Sequence, residues 1–170
     1  MERKGIITMR GNGLTLLGND VAQGDKAPQF TALNTGLAPV SLSDYKGKTV
    51  IISSVPSLDT PVCDLQTRRF NSEALKLGED VVILTLSMDL PFAQKRWCGA
   101  AGVEKVITLS DHKDASFGEA FGVLIKELRL LARAVFIVDR EGILRYKEIV
   151  KEVADEPDYN KALEAVDSLK

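Results

Sequence analysis

The sequence predicts an α/β fold in which strands alternate with helices around a mixed central sheet, preceded by an N-terminal β-hairpin. Short β-branched runs at residues 49–55, 80–87 and 134–139 are typical of buried strands. Stretches with helical periodicity lie between these runs. A hairpin followed by a helix closes the chain over residues 134–169, which indicates that parallel and antiparallel strands share one sheet.

The N-terminal segment carries a turn signal. Residues 8–17 have Gly11-Asn12-Gly13 at their centre, and Asn and Gly tolerate the positive φ that a tight turn requires. This predicts a hairpin over about residues 1–20. A short strand near residues 30–33 and a turn-rich segment separate it from the first central strand.

A helix is predicted after that strand, around Cys63. It runs to about Leu77 and ends at Gly78, which favours helix termination. Four apolar residues are available as its buried stripe: Leu65, Phe70, Ala74 and Leu77.

A second helix opens near Pro91, where Ser87 or Asp89 can act as the cap, and it carries Trp97 and Cys98. The remaining elements follow in chain order: a strand at 106–109, a loop with one short helix at 111–122, a segment at 125–133 that fits either helix or strand, a strand pair at 134–139 and 143–149, and a helix at 157–169.

Composition argues for one domain spanning residues 1–170. Hydrophobic residues make up 45% of the chain, enough for one well-buried core. The 22 Lys and Arg residues nearly balance 24 Asp and Glu residues, so no basic surface is expected for nucleic acid or an anionic membrane. No run approaches the roughly 18 apolar residues of a membrane span, and the N-terminus lacks the apolar core of a signal peptide. We therefore expect a cytoplasmic protein.

The sequence contains two cysteines and one histidine, which limits redox and metal chemistry. A permanent disulfide is not expected in the cytoplasm, and the sequence has neither a Cys-x-x-Cys pair nor a cysteine–histidine cluster for zinc. No metal or other cofactor is expected, and His112 in a predicted loop is given no role. The cysteines are candidates for redox chemistry, with two inert buried thiols as the alternative.

Cys63 lies where a buried strand meets a helix. Thr60 is a good N-cap residue, and Pro61 suits the first helical position because its fixed φ matches the helix. Cys63 therefore falls in the first turn, where free N–H groups and the helix dipole stabilise a thiolate. Asp59 and Asp64 oppose that negative charge, so a nearby cation is required. The alternative is a small core cysteine behind an ordinary helix cap.

Several motifs together resemble those of the peroxiredoxins, specifically the thiol peroxidase subfamily of the atypical two-cysteine type. The resemblance covers nearly the whole chain. Besides the N-terminal hairpin, the segments that carry it are Gly24-Asp25-x-Ala27-Pro28-x-Phe30, Pro56-x-x-x-Thr60-Pro61-Val62-Cys63, the Cys98 region, Leu131-Ala132-Arg133-Ala134-Val135, and Glu156-Pro157-Asp158-Tyr159. Trp97 departs from the pattern, which has phenylalanine there.

The resemblance implies a thioredoxin-like fold, a homodimer, and reduction of hydroperoxides without metal, haem or flavin. By position, Cys63 is the expected peroxidatic cysteine and Cys98 the expected resolving cysteine. Pro56, Thr60 and Arg133 are expected to line the pocket. We expect Pro56 to shield the thiolate from water, with a plain strand-terminating role as the alternative. Thioredoxin is the reductant that the resemblance implies.

The cation beside Cys63 is assigned to Arg133 by this resemblance. The residues alone leave Arg68, Arg69 and Arg129 equally open. Because a free cysteine is only about 3% thiolate at pH 7, complete ionisation accelerates attack by at most about 30-fold. An efficient peroxidase must therefore also orient the peroxide and stabilise the departing oxygen. We expect Arg133 to favour the thiolate and to bind a peroxide oxygen, with the Thr60 hydroxyl and the first-turn N–H groups completing the cradle.

Attack by Cys63 leaves a sulfenic acid, and Cys98 is the only thiol within the chain that can condense with it. The two cysteines lie on different predicted helices, so we expect local unwinding before a disulfide forms.

Two alternative functions are considered for the same residues. A general thiol–disulfide oxidoreductase shares this fold but normally carries Cys-x-x-Cys. A non-enzymatic redox sensor or binding module requires only that Cys63 be oxidised.

Overall fold

The computed structural model describes all 170 residues apart from the side chain of residue 75. The strands are β1 (Glu2–Met9), β2 (Asn12–Leu17), β3 (Thr31–Leu33), β4 (Pro39–Ser41), β5 (Thr49–Ser54), β6 (Val81–Ser87), β7 (Ile107–Ser110), β8 (Leu124–Ile125), β9 (Leu130–Leu131), β10 (Ala134–Val138) and β11 (Leu144–Ile149). The helices are α1 (Pro61–Leu77), α2 (Pro91–Ala101), α3 (Ser116–Ala120) and α4 (Tyr159–Asp167).

The central sheet has seven strands in the order β11-β10-β5-β6-β7-β3-β4. Strands β5, β6 and β7 are parallel, and the remaining strands add to both sides in antiparallel fashion. The prediction of a mixed sheet flanked by helices is therefore confirmed. Strands β5 and β6 lead into α1 and α2, the helices that carry Cys63 and Cys98.

The two faces of the sheet have separate cores. One face packs Ile51 and Ile83 against Phe70 of α1, Trp97 of α2 and Val166 of α4. On the opposite face, side chains from the sheet pack against the N-terminal hairpin, the β8–β9 pair and an aromatic cluster: Phe30, Phe117, Phe121 and Phe136. The alternation of side chains along each strand assigns successive residues to these two cores.

The N-terminal hairpin is present, but its turn lies one residue earlier than the sequence predicted. Positive φ angles occur at Arg10 (52°) and Gly11 (79°), whereas Asn12 and Gly13 already belong to β2. Two consecutive positive φ angles are the requirement of a tight two-residue hairpin turn. The register between β1 and β2 therefore places Arg10, rather than Asn12, at a turn position with positive φ.

The segment at residues 125–133 is a short hairpin, which decides the choice left open between helix and strand. Strands β8 and β9 pair with each other, and β8 pairs with β2, so a second sheet forms in the order β1-β2-β8-β9. The Glu127 carboxylate in the connecting loop accepts the Thr15 N–H. This second sheet holds the chain that leads into Arg133.

Two predictions about the helices are wrong. Leu65 is 53% exposed and is not part of the buried stripe of α1. The N-cap of α2 is Leu90 rather than Ser87 or Asp89, and its side chain makes no capping hydrogen bond. The polar side chains of Ser87 and Asp89 instead form hydrogen bonds with one another and with the segment before α1.

Asp111 is a buried carboxylate at the start of the segment that leads into α3. It accepts the N–H groups of Phe117 and Gly118 at 3.0 and 2.8 Å and is only 2% exposed. Burial raises the pKa of Asp111 to about 6, against the effect of the two N–H groups, which lower it. An unfolded chain has an aspartate pKa of about 3.9.

This raised pKa predicts a pH dependence of stability. Between pH 4 and 6 the folded protein holds a proton that the unfolded chain has released, so Asp111 favours folding at low pH and this contribution is lost as pH rises through 6. Measured by urea unfolding, the free energy of unfolding of wild type minus that of Asp111→Asn should fall by up to about 3 kcal/mol from pH 4 to 7. A difference that stays constant over this range would contradict the assignment.

Candidate active site

The segment between β5 and α1 positions Cys63. Thr60 is the N-cap in extended backbone, Pro61 is the first helical residue, and the Thr60 carbonyl accepts the Asp64 N–H at 3.0 Å. This arrangement turns the first helical turn toward the sheet, and Cys63 is 0% exposed. Its side chain packs with Val55 and Leu58.

The Arg133 guanidinium lies directly against the Cys63 thiol. Arg133 Nη2 is 3.3 Å from Cys63 Sγ, and the whole side chain is only 2% exposed. The other nitrogens are also used: Nη1 donates to Gln66 Oε1 and Nε donates to the Val153 carbonyl, both at 2.9 Å. Three hydrogen bonds therefore hold the guanidinium in one orientation.

No carboxylate of the described residues forms an ion pair with Arg133. A buried cation without a counter-charge is costly, because burial removes it from water. The partners of the guanidinium are a neutral amide, a carbonyl and the sulfur of Cys63. The charge of the guanidinium therefore faces Cys63 Sγ without compensation by a carboxylate of the described residues.

Gln66 is a site residue that the sequence reasoning missed. It is fully buried, accepts from Arg133 and donates through Nε2 to Ser53 Oγ at 2.6 Å. A signal for it was available, since Gln66 lies three residues after Cys63 and side chains at that spacing share one helix face. Its amide links the arginine to strand β5 and so positions the cation.

Thr60 and Pro56 border the site in different ways. The Thr60 side chain is exposed, and its hydroxyl donates to the Ser57 carbonyl at 2.9 Å. It makes no capping hydrogen bond to the first turn of α1. Pro56 is buried directly after Val55. The structure therefore places both residues in the segment that leads to Cys63.

The acidic residues beside Cys63 face other partners. Asp64 forms an ion pair with Arg68 at 2.9 Å and accepts the indole N–H of Trp97 at 3.0 Å. Asp59 is exposed on the loop. The negative charge of Asp64 is thus compensated on the outer side of α1, away from the Cys63–Arg133 pair.

Cys98 occupies a different environment on α2. It is half-buried, and its Sγ lies 3.4 Å from Thr108 Oγ1 on β7. It also lines a cavity of about 330 Å³ together with Lys95. Near the C-terminus of its helix, Cys98 lacks the N–H groups that favour a thiolate in the first turn of α1.

The two thiols are free and well separated. Arg133, which contacts Cys63, immediately precedes β10, whereas Thr108 lies on β7, three strands away in the sheet. Neighbouring strands lie about 4.8 Å apart, which separates these two contact residues by about 14 Å. A disulfide needs Cα atoms within about 7 Å, and opening of this conformation before the cysteines join stays a prediction.

Trp97 connects the two cysteine helices. Beside its hydrogen bond to Asp64, its ring packs against the cluster around Cys63 and lies 5.8 Å from the Arg68 guanidinium. If Cys98 must move toward Cys63, these contacts have to break first.

Trp97→Phe is therefore expected to accelerate disulfide formation by about fivefold, because it keeps an aromatic ring but loses a hydrogen bond worth about 1 kcal/mol. The measurement is acid-quenched alkylation of free thiols after one equivalent of hydrogen peroxide. Tyr146→Phe, which removes the hydroxyl bonded to Glu148, is the matched control and should leave the rate unchanged. An unchanged rate in Trp97→Phe would show that this bond does not oppose opening.

Comparison with known proteins identifies the family. The family model for Redoxin matches residues 22–163, which is most of the chain. The chain belongs to the Redoxin family. This Redoxin is 60% identical over 163 residues to the thiol peroxidase of Bacillus subtilis (strain 168), covering 96% of this chain and 97% of that one. It is 57% identical over 159 residues to the thiol peroxidase of Staphylococcus aureus (strain MRSA252), covering 94% and 96%.

Solved structures agree with this assignment. The crystal structure of a peroxiredoxin-like protein from Aquifex aeolicus matches with a TM-score of 0.91 at 36% identity, over 99% of each chain. A thiol peroxidase from Chromobacterium violaceum matches with a TM-score of 0.84 over 95% of each chain. Because the two sequences are only 18% identical, this match supports the fold alone. The resemblance to thiol peroxidases and the thioredoxin-like fold of this Redoxin are thereby confirmed.

In the described part of this Redoxin, no group of three or more His, Cys, Asp or Glu side chains is arranged to hold a metal ion. None of its described helices combines the length and apolarity that crossing a bilayer requires.

Proposed function

We propose that this Redoxin is a thiol peroxidase that reduces hydrogen peroxide and organic hydroperoxides to water and alcohols. The observation that carries the proposal is the contact between a fully buried thiol and a buried guanidinium that has no carboxylate partner among the described residues. The names of its relatives, thiol peroxidases at 57 to 60% identity, support the same activity.

The first step uses the Cys63 thiolate as the nucleophile. It attacks one oxygen of the hydroperoxide, the O–O bond breaks, and the sulfur keeps that oxygen as a sulfenic acid. The other oxygen leaves as alkoxide or hydroxide and takes up a proton to give alcohol or water. Arg133 Nη2 donates toward the reacting atoms and stabilises the negative charge on the departing oxygen.

The second step closes a disulfide. The Cys98 thiol attacks the Cys63 sulfenic acid, the new S–S bond forms, and water leaves. Because the contact residues of the two sulfurs lie about 14 Å apart in the sheet, the first turn of α1 or the end of α2 unwinds before this step. A dithiol protein then reduces the disulfide, and we propose thioredoxin for this role and the cytoplasm as the location.

We further propose a homodimer, which the resemblance to thiol peroxidases implies. Exposed apolar side chains at the start of α1 and α2 support an interface in this region: Leu65, Leu90 and Phe92 are 53%, 52% and 66% exposed. Burial of such side chains against a second copy would favour association.

The activity is tested with the wild-type protein, thioredoxin, thioredoxin reductase and NADPH. We expect NADPH oxidation that requires hydrogen peroxide or cumene hydroperoxide and continues for many turnovers. No insulin reduction is expected when peroxide is omitted. Insulin reduction without peroxide would favour a general thiol–disulfide oxidoreductase, and a single stoichiometric oxidation without turnover would favour a redox sensor.

A further inference from the structure

A polar network lies behind the loop at residues 55–60, and its centre is Asp89. The Asp89 carboxylate accepts three hydrogen bonds, from Ser57 Oγ at 2.7 Å, the Leu58 N–H at 2.8 Å and Ser87 Oγ at 2.7 Å. In the part of the chain that the structure describes, no Lys or Arg forms an ion pair with it. The peroxide chemistry proposed above does not use Asp89.

On one side the network determines the position of Leu58. Leu58 is only 3% exposed and packs with Val55 against Cys63. Its backbone N–H is held by the Asp89 carboxylate, a charge-assisted bond that is stronger than one between neutral groups. Asp89 therefore keeps Leu58 packed against Cys63.

On the other side the network reaches the helix of Cys98. Ser87 Oγ accepts from Gln94 Nε2 at 3.0 Å, and the same nitrogen donates to the Leu109 carbonyl at 2.9 Å. Gln94 is 1% exposed and lies one helical turn before Cys98, on the same side of α2. The segment before Cys63 and the helix that carries Cys98 are thus joined through Asp89 and Ser87.

We propose that Asp89 is a positioning residue that favours the closed state, in which Cys63 reacts with peroxide, over the open state, in which the disulfide forms. This inference rests on the proposed peroxidase function. In the closed state the carboxylate satisfies three donors at once, whereas opening of loop 55–60 breaks the bonds to Ser57 and Leu58. Loss of Asp89 should therefore affect the two chemical steps in opposite directions.

Opposite effects on the two chemical steps would distinguish a positioning role from a merely structural one. A residue that only stabilises the fold would lower the midpoint of thermal unfolding without slowing one step and accelerating the other. Asp139 is a suitable control because its carboxylate also accepts two backbone N–H groups, from Glu141 and Ile143, and pairs with Arg145. It lies in the β10–β11 turn, at the far end of β10 from Arg133.

The experiment is stopped-flow fluorescence of Trp97, the only tryptophan and the neighbour of Cys98. Sulfenic acid formation is first order in peroxide, and disulfide formation is independent of peroxide, so the two phases separate. For Asp89→Ala we expect about tenfold slower oxidation and about tenfold faster disulfide formation. Asp139→Ala is expected to change neither rate by more than about twofold.

Two further variants keep the test decisive if Asp89→Ala does not fold. Asp89→Asn can still accept from Leu58 and donate to Ser57, so both rates should stay within about threefold of wild type. Ser57→Ala removes one donor and should shift both rates by about threefold in the directions given for Asp89→Ala. Rates in Ser57→Ala that equal wild type, or a parallel loss of both steps in Asp89→Asn, would overturn the inference.

Failure of this inference can be distinguished from failure of the proposed function. If the wild type shows no peroxide-dependent phase, the peroxidase proposal fails, and the inference about Asp89 fails with it. If the wild type shows both phases and Asp89→Ala matches it, the peroxidase proposal stands and the inference about Asp89 fails.

Discussion

Replacement of Cys63 by serine is expected to abolish even the first peroxide turnover, a loss on the order of 10⁶-fold such as follows removal of a covalent nucleophile. Serine fits the site but is a far weaker nucleophile than cysteine at neutral pH. The measurement is peroxide consumption by the isolated protein, with trapping of sulfenic acid by dimedone and mass spectrometry.

The matched control for this prediction is Cys98→Ser. This variant should consume one equivalent of peroxide and accumulate a sulfenic acid at Cys63, but thioredoxin should recycle it poorly. Equal peroxide consumption by Cys63→Ser and wild type would make the capped helix at Cys63 a purely structural feature. The redox-sensor and binding-module hypotheses would then take precedence.

Arg133→Lys should lower kcat/KM for hydrogen peroxide by about 10² to 10³, the loss typical of removing one preorganised donor from a charged transition state. Lysine retains the positive charge, but it cannot donate at once to Cys63, Gln66 and the Val153 carbonyl as the guanidinium does.

Arg69→Lys is the control for the arginine prediction. Arg69 is exposed on α1 and pairs with Glu73 at 3.2 Å, and the sequence alone did not distinguish it from Arg133. Its replacement should leave kcat/KM within about twofold of wild type. Circular dichroism of Arg133→Lys separates loss of catalysis from loss of folding. Unchanged peroxide kinetics in a folded Arg133→Lys would discard Arg133 as the cation.

Local sequence signals determined much of this fold. The β-branched runs predicted β5, β6 and β10 to within one or two residues, because a buried strand needs apolar side chains on both faces. Thr60 and Pro61 predicted the start of α1 and placed Cys63 in its first turn, since both preferences depend on the backbone of neighbouring residues alone.

Local signals failed where several conformations satisfied them equally. Gly11-Asn12-Gly13 allowed more than one turn, and pairing between β1 and β2 selected the turn that includes Arg10. Helical spacing allowed Leu65 to be buried, but the sheet covers another face of α1. The short apolar segment at 124–131 became strands only because β2 offered an edge for pairing.

The sequence by itself therefore determined the strand and helix pattern and the position of Cys63 at a helix start, since these depend on neighbours along the chain. Local signals left the arginine open and the family resemblance indicated Arg133, but only the tertiary structure shows its contact with the thiol. Sheet order brings Arg133, 70 positions away, to 3.3 Å from Cys63, while Arg69 on the same helix points outward. Gln66 likewise meets Ser53, and Asp89 meets Ser57 and Leu58, only because packing brings these segments together, which no local preference encodes.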